Sequence, residues 1–356
     1  MTTEARRYAA DDLRQFAARL FRAAGLDEDK SGAVARILVE ADLLGHATHG
    51  LALAPFYLDA AGSGAMRAQG EPGVTSDRGA CVAWEGRRLP GPWLVDRAVD
   101  LALERVATYG TVTVAISDSH HIGALAAYLE RATERGYLLL IASSMPSLAG
   151  VAPYGGTRAV FTPNPLAAGI PTEGDPILLD VSASITTLNM TKQLHRAGRR
   201  YEQPWLLDRE GRASTDPEVV LSQGGTILPA GGLDHGHKGY SWALLVEALS
   251  TLSGFGRADR PSGTCVSVFV QAIDPGAFGG QAGFRHQMQW LADACRENPP
   301  RPGVDRVRLP GERAMAHKLR ALEAGVPLSN AIVEGLAPWA DRLGVALPPA
   351  RDGAGR

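Results

Sequence analysis

The sequence predicts an α/β fold with helical parts at both ends of the chain. Three observations support this. Apolar residues recur at helical spacing over residues 8–44, strand-like and helix-like segments alternate over residues 93–144, and the pattern after residue 281 is again helical. At 356 residues, the chain is long enough for a large core and for more than one lobe.

The N-terminal segment is predicted to form two helices. Apolar side chains recur three and four positions apart on both sides of Gly25, which breaks the pattern, and Gly45 is a suitable stop for the second helix. Residues 51–60 are predicted to add one turn or a short helix. A loop-rich stretch then leads to a short strand at residues 81–86.

The centre of the chain alternates between helical and β-branched segments. A helix over 93–109 precedes the strand GTVTVAISD, and a helix over 123–136 precedes the strand YLLLIASS, an order that favours an α/β layer. Strands and loops are predicted for 151–235. The remainder contains a strand at 263–274 and several helices, over residues 239–253, 281–296, 311–325 and 328–343.

Composition narrows the class of protein. The 36 basic and 38 acidic residues nearly balance, and no long basic run is present, which argues against nucleic acid or an anionic membrane as a partner. The cysteines Cys81, Cys265 and Cys295 lie far apart and form no CxxC pair, as is typical of a reducing compartment. With a charged, amphipathic N-terminus in place of a signal peptide, the sequence predicts a cytoplasmic protein.

Histidines are concentrated in three glycine-containing patches, GHATHG (45–50), SDSHHIG (117–123) and LDHGHKG (233–239), which hold six of the nine. His235 and His237 could share a strand face as metal ligands, but no HExxH motif, characteristic carboxylate or cysteine ligand supports a metal site, and none is predicted. Proton transfer suits the patches better, because imidazole titrates near neutrality. An ordinary polar loop and a zinc-dependent hydrolase remain the alternatives.

No nucleotide-binding signature is present. The GxGxxG fingerprint and the Walker A pattern are both absent, and the nearest glycine-rich stretches, GSGAMR and GFGRAD, do not follow a strand. A nucleotide would therefore have to bind by another route.

Seven segments in series resemble the malate/L-lactate dehydrogenase family of the non-Rossmann type, which includes ureidoglycolate, sulfolactate, diketogulonate and piperideine-2-carboxylate reductases. The matching segments are EADLLGHATHGLALAPFYL, SDSHHIG, VAPYGGTRAVFTPNPLAAGIP, LLDVSAS, LDREGRASTDPE, GHKGYSWALLVEALSTLSG and LPGER. The resemblance implies hydride transfer between NADH or NADPH and a small 2-oxo or 2-hydroxy acid or a cyclic imino acid. It also implies a family-specific, mostly antiparallel core sheet and a homodimer.

The resemblance further implies two interleaved lobes. Residues 1–115 and 300–356 would form a helical substrate and dimer lobe, and residues 116–299 the NAD(P)-binding sheet lobe. His49 and His121 fall on the family's active-site histidines and Thr48 on its serine, so these three are the predicted catalytic residues. The predicted cofactor contacts are His121, Gly123, Asn164, Pro165, Asp180, Ser182, Ser184, His237, Lys238, Gly239, Pro310, Gly311 and Glu312.

Some of these positions have simpler explanations. Lys238 could be plain surface charge before a helix, Ser184 a helix cap, Asp180 a structural turn former and Glu312 a cap of the following helix. These alternatives stay open at the level of the sequence.

The departures from the family pattern concern the substrate. The family's Arg in S-H-G-x-x-R is Leu53, which cannot clamp a carboxylate as a guanidinium can. Asp118 replaces an Asn, and Ser143–Ser144 replace another. Leu53, Thr48 and Ser144 are the predicted substrate residues, and they indicate a larger or less charged ketone or imine. We expect His49 to donate the proton and His121 to orient or relay, with the reverse assignment and a non-catalytic ligand-binding relative as alternatives.

Overall fold

The computed structural model describes residues 6–351; the outermost residues of the predicted helical lobe, 1–5 and 352–356, lie outside this range. The first half of the described chain contains six strands and five helices. In chain order they are β1 (Arg6–Tyr8), α1 (Ala10–Ala23), α2 (Glu28–Leu43), α3 (Ala54–Gly62), β2 (Gly73–Asp77), β3 (Cys81–Glu85), α4 (Gly91–Tyr109), β4 (Thr111–Ser119), α5 (Glu130–Thr133), β5 (Leu138–Ser144) and β6 (Pro165–Ile170).

The second half adds further strands and helices, and 3-10 turns occur at Leu51–Leu53 and Leu125–Tyr128, among other places. In chain order the elements are β7 (Ile177–Ser182), α6 (Leu188–Arg196), β8 (Leu206–Leu207), β9 (Ala213–Ser214), α7 (Glu218–Leu221), β10 (Thr226–Ile227), α8 (Gly232–Ser250), β11 (Val266–Ile273), α9 (Gln281–Arg296), α10 (Glu312–Ala324), β12 (Val326–Leu328) and α11 (Asn330–Leu343).

A seven-stranded sheet forms the centre of the molecule, in the order β2-β3-β4-β11-β5-β6-β7. Every neighbouring pair is antiparallel except β3 and β4, which confirms the mostly antiparallel core sheet. The strands β4 and β5, predicted to flank a helix, are not neighbours, because β11 lies between them. β11 takes the central place because its residues, Val266–Ile273, are almost all buried.

Two large hydrophobic cores hold the chain together. One joins α4 to the sheet, where Trp93 and Leu94 pack with sheet residues such as Val114 and Val268. The other is helical and unites α1, α2, α3 and α11 with the small β1–β12 sheet. The second core contains Tyr57, which is completely buried.

A third, smaller unit covers part of the stretch predicted as strands and loops. Its short sheet, ordered β10-β8-β9, packs with α6 and α7 around Tyr201, Leu206 and Ile227. The helix α6 was not predicted; it has nine residues, and Leu188 and Leu194 are its apolar side chains that pack on this core. Its N-cap is Thr187, whose side chain accepts a hydrogen bond from the Met190 N–H group.

The predicted helix at 123–136 is wrong as a continuous element. Only the 3-10 turn at Leu125–Tyr128 and the single turn α5 form. The Ala126 N–H group donates to the Asp180 carboxylate at 3.0 Å, and the Tyr128 hydroxyl donates to the Ile122 carbonyl. The Ala127 and Leu129 N–H groups bond to carbonyls three residues back, so the chain forms a 3-10 turn held by Asp180 and Tyr128 in place of a continuous α-helix.

The position of α8 corrects a second expectation. This helix begins at Gly232, seven residues earlier than predicted, so His235 and His237 lie in its first turns and cannot share a strand face. The helix starts directly after its N-cap, Gly231, whose φ of 98° lies in the left-handed region that favours glycine. Lys238 is therefore inside a helix and exposed.

The predicted lobe boundary at 115/116 falls inside β4 (Thr111–Ser119), and β2 and β3, on its N-terminal side, belong to the same sheet as β4. The helices α1, α2, α3 and α11 share one core. The division into a substrate lobe and a cofactor lobe stays a prediction.

Candidate active site

His49 lies in a tight loop that follows the end of α2. The loop begins at Gly45, whose φ of 82° favours glycine, and its N–H groups fold back on the helix. His46 donates its N–H to the Ala41 carbonyl at 2.8 Å, and His49 donates its N–H to the His46 carbonyl at 2.8 Å. The Thr48 hydroxyl lies 2.9 Å from His49 Nδ1, so the predicted partner of this ring is in hydrogen-bond contact with it.

His121 lies just beyond the end of β4. The Gly123 N–H group donates to His121 Nδ1 at 3.2 Å, which makes Nδ1 an acceptor and places the proton of the neutral ring on Nε2. Gly123 has a φ of 73°, the left-handed conformation that turns its N–H group back toward the ring. The backbone thus selects one tautomer of His121.

Asp118, which stands where the family pattern has Asn, lies in the left-handed region with a φ of 45°. Asn and Asp are the non-glycine residues that most readily adopt this conformation, so the replacement preserves the backbone. Its carboxylate accepts a weak hydrogen bond from the Cys265 thiol at 3.3 Å and lies 3.5 Å from the Arg88 guanidinium. The contacts with Cys265 and Arg88 therefore accommodate an aspartate where the family has asparagine.

The rings of His49 and His121 meet. Their centroids are 6.0 Å apart and their planes differ by 21°, although the residues are far apart in the sequence. Burial, followed by the charges of His49 and His120, lowers the pKa of His121 to about 3, so this ring is neutral at pH 7. Burial and then His46 also lower the pKa of His49. The structure brings the two predicted histidines into one cleft.

Two aromatic residues that the sequence did not single out complete this cluster. The Tyr57 hydroxyl lies 2.9 Å from His121 Nδ1 and donates to the His121 carbonyl at 3.0 Å. Phe56 is 40% exposed and presents its ring edge-on to His121, with centroids 6.1 Å apart. Both lie on α3, seven and eight residues beyond His49, so their helical spacing from Leu53 was the available signal.

His120 occupies the space behind these rings. It is 0% exposed, stacks on Phe56 at a centroid distance of 5.2 Å and meets the edge of Tyr57 at 5.4 Å. Burial first, and Arg88 second, lower its pKa to about 4. His120 is thus a neutral, buried ring that packs against Phe56 and Tyr57.

The predicted substrate residues separate into two places. Leu53 lies in the 3-10 turn after His49, partly buried against the helical core. Ser144 is 2% exposed, donates its hydroxyl to Glu247 Oε1 at 2.7 Å and accepts from Arg257 at 3.1 Å. Ser144 therefore belongs to a buried polar cluster around Glu247, and its role toward a substrate stays a prediction.

Asn164 belongs to the same cluster. Its side chain is buried and donates to Glu247 Oε1 at 2.9 Å and to the Ala243 carbonyl at 3.1 Å, while the Thr162 hydroxyl donates to it at 2.9 Å. With a φ of 47°, Asn164 turns the chain into β6, which starts at Pro165. Its predicted contact with a cofactor stays untested, and its hydrogen bonds here are structural.

The segment from Asp180 to Ser184 spans the end of β7 and the two residues after it. The Asp180 carboxylate is half-buried, and removal from water raises its pKa, an effect that His46 and the hydrogen bond from the Ala126 N–H group oppose. The hydrogen bond to Ala126 ties β7 to the 3-10 turn beyond His121. Ser182 donates to the Ser184 carbonyl at 2.9 Å, and Ser184 donates to the Thr186 carbonyl at 2.6 Å, so Ser184 is engaged locally rather than as a helix cap.

The first turns of α8 are glycine-rich and exposed. Gly239 packs so closely on the preceding chain that an added Cβ would lie 2.4 Å from the Ala230 nitrogen. His237 meets the edge of Tyr154 at a centroid distance of 5.7 Å. Lys238 projects from the same turns, where the positive end of the helix dipole adds to its charge.

The Pro310–Gly311–Glu312 segment contacts β7 at Leu178. The Leu178 N–H group donates to the Pro310 carbonyl at 3.3 Å. Gly311 has a φ of 90° and leaves no room for a Cβ, which would lie 2.8 Å from Leu178 Cβ. The Glu312 carboxylate, at the start of α10, forms an ion pair with Arg296 at 2.7 Å.

Comparison with known proteins gives concordant results. The chain matches the family model described as malate/L-lactate dehydrogenase over residues 8–337. It is 33% identical over 328 residues to the (2R)-3-sulfolactate dehydrogenase (NADP(+)) of Chromohalobacter salexigens, covering 89% of this chain and 93% of that one. It is 30% identical over 346 residues to the L-lactate dehydrogenase of Cupriavidus necator, with 95% and 98% covered. The malate dehydrogenase structure from Pyrococcus horikoshii superposes with a TM-score of 0.85, at 28% identity and 96% coverage of both chains.

The fold, the paired histidines and these matches define the chain as an oxidoreductase that acts on a small molecule. More particularly, the chain belongs to the malate/L-lactate dehydrogenase family, since the family model spans most of its length. The family assignment, the fold class and the enzyme class predicted from the sequence are confirmed.

The alternative of a zinc-dependent hydrolase finds no support in this membership. Within residues 6–351, no group of three or more His, Cys, Asp or Glu residues is arranged to hold a metal ion. Over the same range, the structure contains no helix with the length and apolar character needed to cross a membrane.

Proposed function

We propose that this chain interconverts a small ketone or imine and the corresponding alcohol or amine, with His49 as proton donor in the direction of reduction. The observation that carries the proposal is the stacked pair of His49 and His121, 6.0 Å apart, at the joint between the helical core and the sheet. A proton donor placed beside a reacting carbonyl stabilises the negative charge that develops on its oxygen. His121, neutral and fixed in one tautomer, is suited to orient the substrate through its Nε2–H group.

Thr48 and Tyr57 hold the two rings in place. The Thr48 hydroxyl at 2.9 Å from His49 Nδ1 leaves Nε2 of that ring for the substrate. Tyr57 is buried beside His121 and secures the far side of its ring. Rigid support of this kind keeps a proton donor within the narrow range of positions that permits transfer.

The residues around α8 fit a nicotinamide cofactor. The donor set is a helix N-terminus rich in glycine, the exposed Lys238 and the hydroxyl of Ser182 at the end of β7, which suits a pyrophosphate and a ribose. The nicotinamide supplies or accepts the hydride at the carbonyl or imine carbon when it is bound. His121, Gly123, Asp180, Gly239 and the Pro310–Glu312 segment are the proposed remaining contacts. The chain's use of NADH, NADPH or both is left to the experiment below.

The environment of His121 favours a substrate with an apolar group. Leu53 replaces the basic residue of the family pattern, and Phe56 presents an exposed ring next to His121. An apolar wall contributes binding energy in proportion to the apolar surface that it covers and offers no charge to a carboxylate. We therefore propose a ketone or imine that is larger or less charged than pyruvate or oxaloacetate.

The test is a panel of pyruvate, oxaloacetate, piperideine-2-carboxylate and aryl or alkyl ketones, each with NADH and with NADPH, followed by loss of absorbance at 340 nm. We expect faster turnover of the less charged members. Fast turnover of pyruvate or oxaloacetate would overturn the substrate assignment. Absence of turnover across the panel, together with no thermal shift by either cofactor, would favour a non-catalytic ligand-binding relative.

We also propose that the chain forms a homodimer in the cytoplasm. Val246 of α8 packs on the central sheet with Ala142 and Phe269, and the flank beside it exposes Trp242 and Leu245, which are 45% and 52% exposed. An apolar helix face of this kind is typical of a surface covered by another protein. The free cysteines of the described chain are compatible with a reducing compartment.

A further inference from the structure

Asp42 is a buried carboxyl group in the last turn of α2, directly beneath the loop that carries His49. It is 4% exposed, and its Oδ2 accepts a hydrogen bond from the Leu51 N–H group at 2.8 Å. In the described part of the chain, its Oδ1 has no hydrogen-bond partner. Burial of a carboxyl group with only one hydrogen bond destabilises the folded state, because its second oxygen loses its contact with water.

Gly50 packs against the face of this carboxyl group. An added Cβ at Gly50 would lie 2.1 Å from Asp42 Oδ1 and 2.3 Å from Asp42 Cγ, far inside the contact distance of two atoms. The φ of Gly50 is −92°, so the residue is not in the left-handed region that favours glycine. The collision with Asp42 is the steric reason for glycine at this position.

These contacts enclose His49 on its C-terminal side, since Gly50 and Leu51 are the two residues that follow it. The N-terminal side of the loop is held by the same turn of α2, where Gly45 donates its N–H to the Asp42 carbonyl at 3.0 Å and His46 donates to Ala41. Residue 42 thus binds the loop through its backbone at one end and its side chain at the other. The side-chain contact is the one that a substitution can remove.

We propose that Asp42 is a positioning residue for His49: its carboxyl group, bound to the Leu51 amide and packed against Gly50, sets the place of the His49 ring opposite His121. The importance of that ring for turnover rests on the function proposed above, whereas the loop geometry does not. Asp42 touches neither ring, so it acts only through the loop.

The state of the carboxyl group is consistent with this task. Burial raises the pKa of Asp42 to about 7, and the Leu51 hydrogen bond opposes that shift only in part. The group therefore holds the loop mainly in its neutral form below pH 7. A neutral side chain with one acceptor oxygen, as in asparagine, can make the same bond to Leu51.

The first experiment compares D42A, D42N and the control S31A, which removes a buried hydroxyl from the same helix away from the loop. The probe is the fastest substrate of the panel above with its preferred cofactor. We expect D42A to lower kcat by on the order of a hundredfold with a much smaller change in KM, because a displaced proton donor costs rate rather than binding. We expect D42N to keep most of the wild-type kcat and S31A to leave kcat unchanged. Equal kcat in D42A and wild type would refute the proposal.

A double-mutant cycle tests the contact with Gly50 directly. G50A should lower kcat in the wild-type background, where the new methyl group collides with Asp42. In the D42A background the space is open, so D42A/G50A should be no slower than D42A alone. Additive losses from the two substitutions would show that Gly50 is needed for a reason other than Asp42 and would overturn the argument.

A readout without turnover separates this proposal from the proposed function. Hydrogen exchange of the peptide spanning residues 46–53 reports the Leu51 amide, and the ring signals of labelled histidine, assigned with H49Q, report His49. We expect D42A to speed exchange and shift the His49 signal, and S31A to change neither. Unchanged exchange and an unchanged ring signal in D42A would overturn the positioning role even in an active enzyme. If D42A shifts the His49 ring signal while the wild-type protein is inactive on every substrate, the positioning role is supported and only the proposed function is refuted.

Discussion

At the scale of single residues, the site depends on how neighbouring groups set the protonation of two rings. His121 is neutral because it is buried beside other imidazoles, and its tautomer is selected by the Gly123 N–H group. His49 has a hydroxyl on one nitrogen and the cleft on the other side. Two chemically identical side chains thus receive different roles from their surroundings.

Removal of the His49 ring should reveal its role as proton donor. We expect H49A to lower turnover by on the order of a hundredfold or more, because general acid catalysis contributes at least that factor. Steady-state kinetics with the best panel substrate measure the loss, and cofactor affinity from fluorescence titration should be retained. Intact cofactor binding together with undiminished turnover would refute the assignment and favour His121.

Tyr57 should contribute through the orientation of His121. We expect Y57F to lower kcat/KM by about threefold to tenfold, the rate equivalent of one hydrogen bond worth ~1 kcal/mol. The phenyl ring keeps the packing of this fully buried residue, so the melting temperature should fall only slightly. A loss of stability without any change in kcat/KM would mean that Tyr57 is only a core residue.

Asp42 should make stability depend on pH. Its folded-state pKa is raised to about 7 from 3.8, so the folded protein keeps a proton that the unfolded chain gives up earlier. Its contribution is therefore complete below about pH 4, declines as pH rises toward about 7 and stays low above that. A shift of this size corresponds to at most ~4 kcal/mol.

The variant D42N has no titrating group at this position, so it should not lose stability as the pH rises. We expect denaturant titration to show D42N gaining stability relative to wild type at pH 8 and little or none at pH 4. The comparison is made between variants at each pH, so other titrating groups cancel. A constant difference across the pH range would contradict the raised pKa.

At the scale of elements, α8 combines two surfaces with different tasks. Its first turns carry Lys238 and close glycine packing, and Val246 in its later turns packs on the central sheet. The flank beside Val246 exposes Trp242 and Leu245. An exposed apolar flank of this kind is typical of a surface that another protein covers.

A charge on this face should disrupt the proposed dimer. We expect L245E to shift the mass measured by light scattering from dimer to monomer, because the glutamate would have to lose its water at the interface. A matched substitution at Leu319, exposed on α10, serves as control. A wild-type monomer, or dissociation by both variants, would contradict the role of α8.

At the scale of the whole molecule, the histidine pair forms where separate elements of the fold meet. His49 lies in the loop after α2, Tyr57 lies on α3 in the helical core, and His121 lies just beyond the end of β4. The order of the sheet places β11 between β4 and β5, so residues distant in the sequence share one layer. The site therefore requires the complete fold.

The sequence alone determined most of the long elements, through the apolar period of each, and its motifs determined the family. The mostly antiparallel sheet and the roles of His49 and His121 followed from the resemblance to that family. The structure contains that sheet and brings the two rings together, while their roles stay a prediction. The tertiary structure decided which groups meet: Tyr57 with His121, Phe56 with His120, and the Asp42 carboxyl with Gly50 and Leu51. It also replaced the helix expected at 123–136 with a turn bound to Asp180. These contacts join residues whose separation in the chain has no period, so only packing in three dimensions determines them.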